Sequence, residues 1–244
     1  MGHFSWYQQL PFYDALVAWL RANGVIGPEH GITHVFSSTL VVLILLIIGI
    51  YVRSHYAGGE DRTVPSPKTG LLNIVEVGVD MLRNLVRSII THRPDQYFPL
   101  LGGVFIFVFV NNVLGLIPGF PPATTTVSTN LAIGLTIFLY YNYRGFATSG
   151  PGYIKHFMGP VWWLAPLMFV IELISHAVRP ISLSLRLAGN ITGDHMVIGV
   201  FGDLTYVLIP VIFMFLGLFV CFIQAFVFTM LSSVYIAMAT SHDH

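Results

Sequence analysis

The chain has 244 residues, of which 55% are hydrophobic and only 9% are charged, whereas a soluble domain typically carries about 25% charged residues. The stretches 96–143 and 204–240 contain no charged residue, as expected of membrane-spanning segments, because about 20 apolar residues cross the hydrocarbon. This composition excludes a soluble globular protein, and zero net charge without a basic cluster gives no support for nucleic-acid binding.

The first half of the chain alternates apolar runs with polar or turn-forming segments. Residues 1–33 are rich in Trp, Tyr and Phe and predict an interfacial segment, because Trp and Tyr favour the headgroup level of a bilayer. The uncharged apolar runs 35–52, 97–118 and 127–143 predict three membrane crossings. A turn rich in Pro and Thr separates the second run from the third.

The segment 70–91 has a different pattern. Its polar side chains recur every three or four residues and apolar side chains occupy the other face, which indicates an amphipathic helix. It carries too many charges to cross the hydrocarbon, so we predict that it lies on the membrane surface. The polar positions are Asn73, Glu76, Asp80, Arg83, Asn84 and Arg87.

The last two apolar segments, 160–201 and 204–239, are too long for a perpendicular crossing. As single helices they would extend roughly 60 Å and 54 Å, whereas the hydrocarbon is about 30 Å thick. Either they break, at Gly189 and Gly193, or they tilt steeply as an in-plane hairpin. The predicted fold is an all-α integral membrane protein, a single domain over 1–244, with five membrane-crossing helices and an amphipathic surface helix, the last two crossing helices being long and steeply tilted.

Lysine and arginine are distributed unevenly between the predicted loops. The segment 53–95 contains six of them and 144–155 contains two, whereas the turn 118–126 contains none. Because cytoplasmic loops are enriched in Lys and Arg, we predict an N-terminus outside and a C-terminus in the cytoplasm. This orientation requires an odd number of crossings and agrees with five.

Ionisable and polar side chains recur in steps of three and four along the fourth crossing, which places them on one stripe of a helix. An ionisable group inside a membrane segment costs roughly 2.5 to 3.5 kcal/mol on insertion scales, so a whole stripe indicates a cavity, a partner charge or an ion path. The stripe consists of Glu172, Ser175, His176, Arg179, Ser182, Arg186, Asn190, Asp194 and His195.

Arg186 stands about halfway along this segment. A guanidinium group cannot be deprotonated in a protein, so Arg186 needs an opposite charge, and Glu172 is about four turns away on the same helix. We infer a carboxylate supplied by another chain; the alternative is an internal ion pair, for example with Asp194. His176 fits either a channel lining or helix packing, and Arg179 fits either packing or a lipid contact.

Other kinds of site have little support. The ten histidines show no metal-ligand spacing, no Gly-rich phosphate loop is present, and the single cysteine, Cys221, lies in an apolar run, so we expect no metal, cofactor or directly bound nucleotide. The alternatives are a membrane hydrolase using Asp194, His195 and His176, a secondary transporter, and a structural scaffold. The first would need a nucleophile or metal set on facing helices, where the last helix offers only Gln224 and hydroxyl groups. The second would normally show repeats and broken helices, and the third does not explain Arg186.

Three strings carry a resemblance to a known family. SLSLRLAGN, residues 182–190, precedes a long apolar helix that contains IQAFVF, 223–228, and VYIAMA, 234–239. In these strings and in the order of its segments, over nearly all of its length, the chain resembles subunit a of F-type ATP synthases. The resemblance implies the proton-conducting stator subunit of a rotary motor, with two offset half-channels that load and unload a carboxylate of the rotor ring.

The resemblance also implies roles for individual residues. Arg186 occupies the position of the family's essential arginine, which separates the half-channels and faces the rotor carboxylate. Asn190 and Gln224 match polar residues of the outer half-channel, and Tyr235 matches the family pattern at the end of the last helix. The inner path is assigned to residues of the fourth crossing, namely Glu172, Ser175 and His176.

The sequence departs from the family pattern at three places. Five residues after Asn190, relatives commonly have Glu and some have His; here His195 stands beside Asp194. We predict that these two together form the proton inlet, since His titrates at about pH 6.5. Gly217 stands where some relatives place His or Glu, and the outer turn has hydroxyl residues where relatives often have Asp and Asn.

The resemblance finally implies partners and a location. The partners are the rotor ring of c subunits, the peripheral-stalk b subunits and the lipid bilayer, and ATP chemistry takes place in other subunits. The chain is expected to be a multi-pass protein of the bacterial plasma (inner) membrane, with the proton as the default ion.

Overall fold

The computed structural model describes residues 5–9, 11–24, 32–57, 70–91, 93–117, 119–150, 163–204 and 208–240. Within these ranges every element is a helix and no strand occurs, so the predicted all-α class is confirmed. The 3-10 helices are Trp6–Gln9 and Ala123–Thr125, and the α-helices are α1 (Tyr13–Ala22), α2 (Thr33–Ala57), α3 (Leu71–Ile89), α4 (Pro94–Gly115), α5 (Val127–Ser149), α6 (Ala165–Leu204) and α7 (Leu208–Thr240).

Four of the described helices are long and apolar enough to cross a membrane. The candidate segments are Thr33–Ser54 of α2, Pro94–Gly115 of α4, Ala165–Phe201 of α6 and Val211–Thr240 of α7. The third predicted crossing lies in α5, whose C-terminal half is polar, with Tyr140, Tyr141, Asn142, Tyr143 and Arg144. This composition lowers the hydropathy of α5, so the fifth crossing stays a prediction.

The helices α6 and α7 are unbroken over 40 and 33 residues. At about 1.5 Å per residue they extend about 60 Å and 50 Å, well beyond the hydrocarbon thickness of about 30 Å. The break considered at Gly189 and Gly193 does not occur, because both glycines lie inside α6 and helical backbone continues through them. Whether the two helices tilt as a hairpin stays a prediction.

The chain divides into two compact units. The first unit comprises Met1–Thr63, Ile106–Thr129 and Ala188–Gln224, and the second comprises Val64–Phe105, Asn130–Leu187 and Ala225–His244.

An aromatic cluster forms the core of the first unit near the start of the chain. The ring of Tyr7 stacks on Phe36 at a centroid distance of 6.0 Å and meets Phe120 edge-on at 5.6 Å. The hydroxyl of Ser37 donates to the carbonyl of Pro121 at 2.5 Å. These contacts attach the N-terminal segment and α2 to the turn that follows α4, because aromatic pairs of this geometry stabilise beyond their buried area.

Charged and aromatic contacts join α3, α4 and α5 in the second unit. Arg83 and Arg87 of α3 donate to the carboxylate of Asp95 in the first turn of α4, at 2.9 Å and 3.1 Å. The guanidinium of Arg144 lies 5.1 Å from the centroid of the Tyr97 ring and donates to Tyr97 Oη at 3.3 Å. One end of α4 is therefore held between α3 and α5.

Helices α5 and α6 lie close together at Gly134 in the second unit. A Cβ atom added at Gly134 would lie 3.2 Å from both the Pro180 carbonyl oxygen and Ser184 Oγ. The Ser184 hydroxyl itself donates to the Pro180 carbonyl at 2.6 Å, within the same turn of α6. A side chain larger than a methyl group would therefore require α5 or this turn of α6 to shift.

We expect Gly134→Leu to lower the thermal unfolding midpoint of the purified complex. Overpacking at a tight helix contact typically costs about 1–3 kcal/mol, and the Pro180 carbonyl that blocks the new side chain belongs to the backbone. The matched control is Gly49→Leu, because Gly49 lies within α2 and an added Cβ meets nothing within 4 Å. Equal midpoints for the two variants would contradict the close approach.

Candidate functional site

Around Arg186 the residues of the predicted polar stripe lie on an exposed face of α6, and a neighbouring face of the helix is buried. Ser182, Arg186 and Asn190 are exposed, whereas Leu183 and Leu187 are buried. In the described part of the chain Arg186 makes no hydrogen bond and no ion pair. The internal ion pair considered for Arg186 is therefore absent from these residues, and its charge is presented on the surface of the chain.

Asn190 and Gln224 form a polar contact between α6 and α7 within the first unit. Asn190 Nδ2 donates to Gln224 Oε1 at 3.1 Å, although the two residues are 34 positions apart in sequence. Gln224 is buried, with 6% of its surface exposed, and a buried amide without a partner is costly. The contact fixes the direction in which both amides point.

The predicted inlet pair is described only in part. Asp194 is half-buried on α6, two residues before Met196. The backbone of His195 belongs to the same helix, but its side chain lies outside the described structure. The joint inlet role of Asp194 and His195 therefore stays a prediction.

A charged cluster on α6 occupies the second unit. His176 Nδ1 lies 3.1 Å from Glu172 Oε1, and Arg179 Nη2 lies 3.6 Å from the same oxygen. His176 Nδ1 also lies 3.1 Å from the Glu172 carbonyl oxygen. Ser175 is exposed on the same helix and makes no hydrogen bond with any described residue. Of the predicted inner residues, the structure thus brings Glu172 and His176 together and leaves Ser175 apart.

Two tyrosines complete this cluster from neighbouring helices. The guanidinium of Arg179 lies 4.9 Å from the centroid of the Tyr235 ring on α7. Tyr141 of α5 is buried and lies 5.9 Å from the His176 ring and 6.2 Å from the Tyr235 ring, centroid to centroid. Sequence reasoning missed Tyr141, and the only available signal was a polar aromatic residue near the end of a predicted crossing.

Buried amides of α4 form a further polar spot in the first unit that sequence reasoning did not assign. Thr124 Oγ1 donates to Asn112 Oδ1 at 2.8 Å, and Asn111 Nδ2 donates to the Phe107 carbonyl at 2.9 Å. Asn111 Oδ1 and Asn112 Nδ2 are buried without a hydrogen-bond partner among the described residues. Adjacent asparagines inside an apolar run were the available signal.

Gly217 of α7 lies close to Leu116, the residue that follows α4, in the first unit. Gly217 is buried, and an added Cβ atom would lie 2.8 Å from Leu116 Cδ2. A side chain added at this position would first meet the end of the Leu116 side chain, which would have to move aside. As for metals, no group of three His, Cys, Asp or Glu residues capable of holding an ion is found where the structure is described.

Comparison with known proteins gives one consistent family. The model of the family described as "ATP synthase A chain" matches residues 35–237. The chain is 46% identical to "ATP synthase subunit a" of Bdellovibrio bacteriovorus, over 90% of this chain and 96% of that protein. It is 41% identical to "ATP synthase subunit a 2" of Syntrophotalea carbinolica, over 94% and 97% of the two chains. It is 38% identical to "ATP synthase subunit a" of Geobacter sulfurreducens, over 88% and 91%.

Proposed function

Because the chain belongs to the ATP synthase A chain family, whose members are membrane-sector subunits of ATP synthase, we propose that it is the proton-conducting stator subunit of a rotary F-type enzyme. In this proposal it provides two offset half-channels that load and unload a carboxylate on each subunit of the rotor ring. ATP chemistry takes place in other subunits of the complex.

The observation that carries the proposal is the exposed, unpaired charge of Arg186. A guanidinium on the surface of a helix that is apolar enough to cross a membrane is costly without a counter-charge. No described residue of the chain supplies one. A carboxylate on a neighbouring chain satisfies this requirement. In a rotating ring with one such carboxylate on each subunit, Arg186 would face the carboxylates one at a time.

Protons are proposed to enter from the outside along polar side chains in the C-terminal half of α6 and at the middle of α7. The hydrogen-bonded pair of Asn190 and Gln224 lines this outer path together with Asp194 and His195. A proton that reaches the rotor neutralises its carboxylate, and a neutral carboxyl group can turn into lipid at much lower cost than a charged one. Asn190 is exposed one turn after Arg186 on α6, which supports a transfer point there.

Release is proposed to occur along the inner path, which contains Glu172, Ser175 and His176. Arg186 lies between the two paths along α6 and favours the ionised form of a carboxylate that faces it, because opposite charges attract. A protonated carboxyl group of the rotor must therefore release its proton before it passes Arg186, so protons cannot leak directly from one path to the other. Each charge moved yields about 2.3 kcal/mol per 100 mV of membrane potential.

The proposal includes partners and orientation. The rotor ring of c subunits faces Arg186, the peripheral-stalk b subunits hold the chain still, and lipid surrounds the rest. The N-terminus lies outside and the C-terminus lies in the cytoplasm of a bacterium, with the chain in the inner membrane; the Lys and Arg distribution supports this orientation.

Two serines of α6 offer a matched test of which face meets the rotor. Ser182 is exposed one turn before Arg186, whereas Ser184 is buried and donates to the Pro180 carbonyl. With Cys221 first replaced by alanine, we expect Ser182→Cys to form a disulfide with a cysteine placed beside the carboxylate of the ring subunit. Ser184→Cys is the control and should not cross-link. Cross-linking of Ser184→Cys alone, or of neither variant, would contradict the proposed rotor face.

A further inference from the structure

We propose that Arg179 is a positioning residue that fixes the carboxylate of Glu172 at the inner path and anchors it to α7. The inference rests on the proposed function, because only that proposal assigns Glu172 to proton release. It gives Arg179 a specific role in the second unit, in place of the lipid contact or simple packing that the sequence left open.

The first support is the way in which the Glu172 carboxylate is held. Both His176 Nδ1 and Arg179 Nη2 approach the same atom, Glu172 Oε1, at 3.1 Å and 3.6 Å. Glu172 Oε2 has no partner among the described residues. One carboxylate oxygen is thus engaged from two successive turns of α6, and the other is left available to exchange a proton.

The second support is that Arg179 is itself held in place. Its guanidinium lies 4.9 Å from the centroid of the Tyr235 ring on α7, within the range of a cation–π contact. Only 18% of the Arg179 side chain is exposed. A lipid-facing arginine would instead extend its head group towards the membrane surface. Arg179 therefore connects the Glu172 carboxylate on α6 to a fixed ring on a second helix.

The third support comes from α5. The buried ring of Tyr141 lies near both His176 and Tyr235, at centroid distances of 5.9 Å and 6.2 Å. These contacts restrict His176, which approaches Glu172 Oε1, and the Tyr235 ring, on which the Arg179 guanidinium rests. Three helices of the second unit thus contribute to one arrangement, and simple packing would not require an arginine at its centre.

The planar guanidinium is suited to this double contact. It can present N–H groups at its edge to a carboxylate while its face rests on an aromatic ring, and a lysine ammonium keeps the charge but not the fork. Because misplacing a reacting group by about 1 Å can cost about 100-fold in rate, loss of such an anchor should slow proton release measurably. We expect the slower proton release to depend entirely on the position of the Glu172 carboxylate.

The experiment measures the initial rate of ATP-driven proton pumping in vesicles that carry the assembled complex. We expect Arg179→Gln to lower the rate about tenfold, a fraction of the loss that a displacement of about 1 Å can cause. Arg179→Lys should recover at least about half of that loss on a logarithmic scale, because it restores the charge. Arg53→Gln, an exposed arginine at the end of α2, is the control and should pump at the parent rate.

A double variant separates positioning from a structural role. Glu172→Gln alone should lower pumping, and Arg179→Gln added to it should lower the rate no further, because residues that act through one contact are not additive. A residue that merely packs would reduce the rate in both backgrounds by the same factor. The Tyr235→Phe and Tyr235→Leu pair gives an independent measurement, since phenylalanine keeps the ring face under Arg179 and leucine removes it. The leucine variant should be the slower of the two.

Each outcome decides a specific point. Parent-like pumping by Arg179→Gln, no recovery by Arg179→Lys, or multiplicative losses in the double variant would overturn the inference. If Arg179→Gln does not assemble, the Tyr235 pair decides, and equal rates for its two members overturn the inference. Parent-like pumping by Glu172→Gln removes the proposed inner path itself, whereas a slow Glu172→Gln with a parent-like Arg179→Gln overturns only the role of Arg179.

Discussion

Arg186→Ala is expected to abolish ATP-driven proton pumping in membrane vesicles while the complex stays assembled. Arg186 is exposed and makes no hydrogen bond or ion pair with any described residue, so its removal breaks no such contact among them. What is lost is the counter-charge for the rotor carboxylate. Removing one partner of a buried ion pair costs about 3–5 kcal/mol, which corresponds to a loss of at least about 100-fold in rate.

The same variant should also make the vesicles leak protons passively. Without Arg186 a protonated carboxylate is no longer forced to discharge at the boundary between the two paths, so the rotor can carry protons across without coupling. The measurements are the pumping rate with ATP, the passive decay of a preformed gradient, and the amount of ring subunit in the purified complex. Arg53→Ala, which removes an exposed arginine of α2, is the matched control. Normal pumping by Arg186→Ala would show that the residue is structural and would end the central assignment.

Gln224→Leu is expected to lower pumping about tenfold. The substitution keeps the approximate volume of a buried side chain but removes the acceptor for Asn190 Nδ2, which lies 3.1 Å from Gln224 Oε1. Loss of a hydrogen bond at a buried site costs about 1–3 kcal/mol, and a tenfold rate change corresponds to about 1.4 kcal/mol. The measurement is again the initial pumping rate at equal amounts of assembled complex.

Ser232→Ala provides the control for Gln224→Leu. Ser232 is also a buried polar residue of α7, but its hydroxyl donates to the Phe228 carbonyl one turn earlier in the same helix. Its loss should change pumping by less than about twofold, since a typical intramolecular hydrogen bond contributes only about 0.5–1.5 kcal/mol to stability and this one lies outside the proposed path. If both variants pump equally, the polar contact of Asn190 and Gln224 has no part in proton entry.

The class of the fold followed from the sequence because soluble proteins rarely contain charge-free apolar runs long enough to cross a bilayer. The number of crossings did not follow as firmly. In α5 the residues from Tyr140 to Arg144 are polar, which lowers the hydropathy of this helix and leaves the fifth crossing a prediction. Of the two alternatives considered for α6, the glycine break does not occur. Glycine weakens a helix by only about 1 kcal/mol, which is too little to interrupt forty residues of continuous hydrogen bonding at Gly189 and Gly193.

Within the candidate site, sequence reasoning reached those features that depend on one helix. A period of three to four residues placed Glu172, His176 and Arg179 on one face, and the structure shows contacts between them. Contacts between helices could not be predicted from local sequence patterns without the family resemblance. Tyr141 reaches the cluster from α5, and its approach to His176 depends on how α5 packs on α6, which no local pattern encodes.

The contact between Gly217 and Leu116 has a consequence for how such chains diverge. A side chain at position 217 first meets Leu116 Cδ2, the end of a flexible side chain that can rotate away from a single methyl group. A histidine or glutamate extends beyond its first methylene, so we expect it to fit more readily where position 116 carries a smaller side chain. The volumes of the two side chains are therefore coupled, and we expect a large residue at 217 to be accompanied by a smaller residue at 116.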